Sequence, residues 1–136
     1  MKALSLKQPW LYAITHLGKR VENRTWKPPQ SIIGKYIALH ASKKDDLLGY
    51  TAIAEIAGIE IKGNLPRGAI VATAKVVGFK DFNEVNPFEG APDDWFFGPV
   101  GWLLEDINVL SEPISCRGAL GLWDIPQELL PRLEGR

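Results

Sequence analysis

The stretch "NLPRGAIVATAKVVGF", residues 64–79, narrows the fold most. A turn sequence runs into a string of Ala, Val and Ile interrupted by one charge, Lys75. That composition reads as a long strand inside a core. A lone cation in such a strand needs a partner or an opening to water. With 136 residues, 46% of them hydrophobic, the chain has material for one core, and one domain spanning 1–136 is expected. The apolar run at 69–74 is far shorter than the roughly 20 residues of a membrane span. The N-terminus places Lys7, Gln8 and Pro9 where a signal peptide keeps its apolar region, so a soluble, cytoplasmic protein is expected.

Other elements follow from changes of period. Residues 2–6 read as a first strand. Pro9 suits the first position of a helix, Trp10, Leu11, Ala13, Ile14 and Leu17 recur at helical spacing, and Gly18 is placed to end it in a left-handed cap. Gln8 stands where a cap belongs, yet Gln is a poor cap residue. From Lys19 the period becomes two. On a strand, Arg20, Glu22, Arg24 and Trp26 share one face, and Lys19, Val21, Asn23 and Thr25 the other. Residues 34–42 predict another strand. Ser42 is then placed to cap a helix whose first turn holds Asp45 and Asp46, whose core face is Leu47, Leu48, Ala52, Ile53 and Ile56, and which stops at Gly58.

Residues 81–98, acidic and rich in Pro and Gly, read as a surface excursion ending in Trp95, Phe96 and Phe97. Strands at 101–111 and 118–123 and a short helix at 126–133 complete the pattern. No repeat is evident. Strands and two or three helices without regular βα alternation predict an α+β domain on a mostly antiparallel barrel.

Charge is unevenly placed although the net is zero. Residues 1–68 hold eleven Lys/Arg against five Asp/Glu, and residues 69–136 hold five against eleven. Within residues 1–44, nine cations face the single acid Glu22. A basic segment of this kind suits a polyanion such as RNA, whose neutralised phosphates release counterions. The other reading is that the two halves fold against each other and cancel. Cys116 is the only cysteine, which rules out an internal disulfide and a cysteine-built zinc site. Two histidines add few ligands, so neither a metal nor a cofactor is expected.

The blocks "SLKQPW", "GKRVENRTW", "GKYIALHASK", "PRGAIVATAKVVG", "FGPVGWLLED" and "CRGALGLW" together resemble the ASCH domain of the PUA-like superfamily, over residues from Ala3 to about Pro126. The resemblance implies a small barrel with flanking helices and a cleft at its mouth for RNA or a nucleotide-like ligand. The cleft residues it implies are Gln8, Trp10, Lys19, Glu22, Arg24 and Trp26, with the strand end from His40 through Ser42 to Lys43.

The residues themselves fit such a ligand. Glu22 and Arg24, two apart on a strand, project to one side about 6 to 7 Å apart. A carboxylate and a guanidinium can then meet a base edge and a phosphate, or lock to each other as a structural ion pair. Trp10 or Trp26 can stack a base, worth roughly 1 to 3 kcal/mol in single-stranded complexes, or pack in the core. Trp95 is a candidate rim contact, with Phe96 or Phe97 as a plug beneath the loop.

Two hydrolytic readings stand beside binding. Some PUA-like relatives that the chain resembles are amidohydrolases of acylated cytidines with a threonine nucleophile, a lysine and a glutamate. Lys19 matches that lysine, but Glu22 stands at the threonine position and Lys75 near the glutamate. Metal-free ribonuclease chemistry needs a base and a cation near the phosphate. Glu22 or His40 is the candidate base, with Lys19, Lys43 or Lys75 as the cation. A protein-interaction module within an RNA-processing assembly is a third reading.

Overall fold

The computed structural model describes residues 1–82 and 94–133. The strands are β1 (Lys2–Leu6), β2 (Val21–Arg24), β3 (Tyr36–Ala41), β4 (Ala69–Asp81), β5 (Val100–Ser115) and β6 (Leu122–Asp124). The helices are α1 (Trp10–His16), α2 (Leu47–Ala57) and α3 (Leu130–Leu133), with 3-10 turns at Gln30–Ile32 and Gln127–Leu129. One sheet holds all six strands in the order β2-β5-β4-β3-β1-β6. Among the described residues only the β1–β3 pair is parallel.

The predicted buried strand is β4, whose residues 69–74 and Val76 are all buried. It pairs along most of its length with β5, and the register shifts at Ile70/Ala72, Thr73/Lys75 and Val76/Gly78. The first shift inserts three extra residues in β5, the second one in β5 and the third one in β4, and such irregularities increase bend and twist. The sheet accordingly curls into an α+β, PUA-like half-barrel rather than lying flat. Lys75 is only partly buried and stands in register with Glu105, so an acid faces the cation across the ladder.

Strand alternation separates two cores. Leu4 and Leu6 of β1, Ile37 and Leu39 of β3, and Trp102 and Leu104 of β5 share one core with Leu11 and Ile14 of α1. Ala3, Ala38, Ile70 and Ile114 belong to the other, which Ile125 and Leu133 close. Continuing by two along β1 and β3 on this second face brings Ser5 opposite His40. Because β1 and β3 run parallel, their ends emerge at the same edge, and Ser5, Lys7, His40, Ser42 and Lys43 gather there.

Several expectations shift. The helix after Pro9 begins at Trp10, with Leu17 and then Gly18 at φ 78° closing it. Arg20 does not share a site with Glu22: its Nη1 donates to the Ile14 carbonyl at 2.8 Å and lies on the C-terminal end of α1, where a cation is favoured. α2 stops at Gly58 with φ 67°, but Ser42 does not cap it. Asp46 is the cap residue, without a side-chain bond to the helix. The apolar face of α2 is narrower than its sequence suggests, with Leu47 77% and Leu48 81% exposed. Only Gly49 and Ile53 are buried. A Cβ on Gly49 would stand 3.0 Å from both Pro9 Cδ and Trp10 Nε1, so the helix seats its smallest residue against the start of α1. The excursion proposed for residues 81–98 falls partly on 83–93, outside the described residues. Strand β6 is shorter than expected, leaving residues 116–121 as a loop. Among the described residues no helix is long and apolar enough to cross a membrane.

Candidate functional site

A cavity of about 820 Å³ opens where the ends of β1 and β3 meet β2, the start of α1, Phe97 and the loop at 116–121. Its innermost charges form a trio. Lys19, 1% exposed, precedes β2 and reaches back to it: Nζ donates to the Val21 carbonyl and lies 3.4 Å from Glu22 Oε1. Glu22 Oε2 is 3.3 Å from Arg24 Nη2. Strand alternation put Lys19 and Glu22 on opposite faces, and the turn outside the strand unites them. Arg24 Nη2 also donates to the Ser5 carbonyl at 2.6 Å, bridging from edge strand β2 to β1. Its Nε is buried and has no hydrogen-bond partner among the described residues.

Lys7, Lys43 and Arg117 line the mouth of the cavity as exposed cations. With Lys19 and Arg24 they make five lining cations against Glu22 and Asp46. Asp46 is engaged, since Trp10 Nε1 donates to its Oδ2 at 2.8 Å. The lining is therefore electropositive, with its acids held by protein donors.

The aromatic residues divide. Trp10 lines the cavity, but the Lys19 ammonium sits 5.6 Å from its ring centroid and Phe97 packs against it at 5.5 Å and 65°. Trp26 lies outside the lining, packed edge-on at 4.9 Å to Trp102 against the first core. Trp95 is also outside it, and its carbonyl accepts from Asn23 Nδ2 at 3.0 Å. Phe97, expected as a plug candidate, is the ring that reaches the cavity while 45% exposed. Asn23 holds it there: Oδ1 accepts from the backbone N–H of Phe97 at 2.8 Å and of Gly98 at 3.1 Å.

Gln8 is a joint, not a cavity wall. Only 1% exposed, it accepts the Tyr12 N–H at 2.9 Å through Oε1 and donates to the Pro66 carbonyl at 3.1 Å through Nε2. Its backbone carbonyl accepts the Asp46 N–H at 2.8 Å. One residue thus caps α1 and ties it to the start of α2 and to the segment before β4, a reach a shorter cap side chain lacks. Nearby, Arg67 clasps Asp45 with two bonds of 2.7 Å, and Tyr50 donates to the same carboxylate. The guanidinium holds the Asp45 carboxyl below its ordinary range, against the smaller opposing effect of burial.

The parts required for amidohydrolase chemistry are not assembled. Lys75 does not line the cavity; it is seven residues beyond the lining Gly68, about 23 Å of strand. Thr25 is exposed and outside the lining. His40 does line it, 2% exposed, and is hydrogen-bonded at both ring nitrogens. Ser5, Asn23 and the loop at 116–121 are lining residues that sequence reasoning did not assign to the cleft, and Phe97 was expected there only as a plug. Asn23 carried a faint signal, being the uncharged polar residue between Glu22 and Arg24. Among the described residues no three His, Cys, Asp or Glu side chains gather as a metal site would require.

The model of the ASCH domain matches residues 4–98. The chain belongs to the ASCH domain family. The matched span includes every wall of the cavity except the loop at 116–121. A solved ASCH protein from Zymomonas mobilis is similar in fold, with a TM-score of 0.56 and 16% identity over 97% of this chain and 92% of that one. Among curated proteins nothing matches the chain. The ASCH domain here thus has the family's fold.

Proposed function

We propose that this ASCH domain binds single-stranded RNA or a nucleotide-like ligand in the electropositive cavity. The observation that carries the reading is the juxtaposition of the buried Lys19–Glu22–Arg24 trio with three exposed cations at the mouth of a single cavity. Its volume, about 820 Å³, lies within the roughly 300–1,000 Å³ of small-ligand sites. Phosphates meet Lys7, Lys43 and Arg117, and a base passes inward to Phe97, whose half-exposed ring offers the stacking surface that Trp10 has already committed. The Glu22 carboxylate, each oxygen of which keeps a lone pair beyond its ion-pair contact, supplies acceptors for base-edge donors.

Titration with short single-stranded RNAs at two salt concentrations tests this. Binding weakens as salt rises, and Lys43→Ala or Arg117→Ala each reduces the slope of log K against log salt by about 0.7 per lost phosphate contact. An absence of binding at low salt, or affinity indifferent to salt, overturns the reading.

A further inference from the structure

Ser5 and His40 form a pairing that ligand binding does not require. The His40 Nε2 lies 2.8 Å from the carbonyl oxygen of Cys116. A carbonyl only accepts, so Nε2 carries the proton and Nδ1 presents its lone pair. Nδ1 is 3.1 Å from Ser5 Oγ, whose hydroxyl therefore donates to it. Trp123 Nε1 donates to the same Oγ at 3.1 Å, leaving one oxygen lone pair uncommitted. The imidazole is fixed further by the Trp123 ring, edge-on at 5.3 Å, and by Gly118, where an added Cβ would stand 2.6 Å from His40 Cε1 and 2.7 Å from Ser5 Oγ. His40 is 2% exposed, and both Ser5 and His40 line the cavity.

We propose that Ser5 is a nucleophile activated by His40, and that the cavity hydrolyses an oxygen ester of a carboxylic acid carried on an anionic substrate. A nucleophile within hydrogen-bond reach of a base, itself oriented by a third group, is the arrangement that such chemistry needs. The Cys116 carbonyl takes the orienting part. Ser5 Oγ adds to the ester carbonyl carbon as its proton passes to His40 Nδ1. The bond from that carbon to the alkoxy oxygen then breaks, and the leaving oxygen takes the proton from Nδ1 and departs as the alcohol. Water repeats the sequence on the acyl-serine, releasing the acid and returning a proton to Ser5 Oγ. The Trp123 N–H steadies the oxygen as it loses its proton. Arg24, bonded to the Ser5 carbonyl, brings a positive charge to the same residue's backbone. The anionic character of the substrate rests on the binding reading above; the serine–histidine pair does not.

The test is labelling of the full chain with a fluorophosphonate probe, in which a serine oxygen displaces fluoride from phosphorus, followed by peptide mapping. Ser42 lines the same cavity without a histidine partner among its described hydrogen bonds and serves as the internal control. Labelling is expected at Ser5 and not at Ser42, is lost in Ser5→Ala, and slows at least about 100-fold in a folded His40→Gln variant. Hydrolysis of p-nitrophenyl acetate is expected to fall in parallel. Ser5 left unlabelled in the wild-type chain, labelled no faster than Ser42, or labelled at an unchanged rate in His40→Gln overturns the proposal. The wild-type comparison of Ser5 with Ser42 decides the matter even if His40→Gln does not fold. RNA titration of the same wild-type protein reports separately on the binding reading, so failure of one is distinguishable from failure of the other.

Discussion

Replacing Glu22 with Gln probes the trio at the base of the cavity. The change is nearly isosteric, so packing is retained and the charge alone is lost. In the wild type the carboxylate lies between a Lys19 side chain that is 1% exposed and an Arg24 side chain that is 21% exposed. Without it, two cations face each other across a neutral amide. Removing one member of a buried ion pair costs about 3 to 5 kcal/mol. The lower end applies, since Arg24 retains some water and the Val21 carbonyl still accepts from Lys19. About 3 kcal/mol corresponds to a fall in Tm of roughly 10 °C for a domain of this size. Urea and thermal denaturation at low ionic strength measure it. The double variant Lys19→Met/Glu22→Gln should lose less than the sum of its single variants, because the uncompensated ammonium is gone. A Glu22→Gln protein within about 1 kcal/mol of wild type, or single variants that add within roughly 0.5 kcal/mol, refutes the argument that these charges hold one another.

The Asp45–Arg67 clasp gives a pH dependence with a fixed sign. The folded-state pKa of Asp45 is depressed, so its contribution is present above the ordinary carboxylate range near about 4 and is lost as pH falls through the lower folded value. Asp45→Asn should therefore lower stability at neutral pH and flatten the acid limb of a stability–pH curve; an unchanged limb counts against the clasp. Gly49→Ala should destabilise by about 1 to 3 kcal/mol through its contact with Pro9 and Trp10, despite a helix-propensity gain of about 1 kcal/mol, as a melting curve will show. Leu47→Lys and Leu48→Lys should each stay within about 0.5 kcal/mol of wild type in urea denaturation, whereas Ile53→Ala should cost about 2 kcal/mol or more.

Local pattern was sufficient where one segment decides its own state. The apolar string ending in residues 69–79 formed the central strand, Gly18 and Gly58 adopted the left-handed conformation that closes their helices, and the ASCH motifs fixed the α+β architecture. It was insufficient where a helix face depends on what lies beneath. Leu47 and Leu48 have helical spacing and apolar side chains, yet α2 touches its support through Gly49 and Ile53, so they remain in solvent.

The site divides in the same way. That residues 5–26 crowd Lys19, Glu22 and Arg24 together was plain in the sequence, because strand spacing alone brings Glu22 beside Arg24. The use of Gln8 as a joint and the removal of Trp26 to the first core depend on distant partners, Pro66 at 58 and Trp102 at 76 residues away. Ser5 and His40 are 35 residues apart and meet only because β1 and β3 pair in parallel at that register. The sequence determined which strands and helices this chain can form, since those rest on contacts between near neighbours. The tertiary structure alone decided which side chains share the cavity, because sheet register sets distances that no local periodicity encodes.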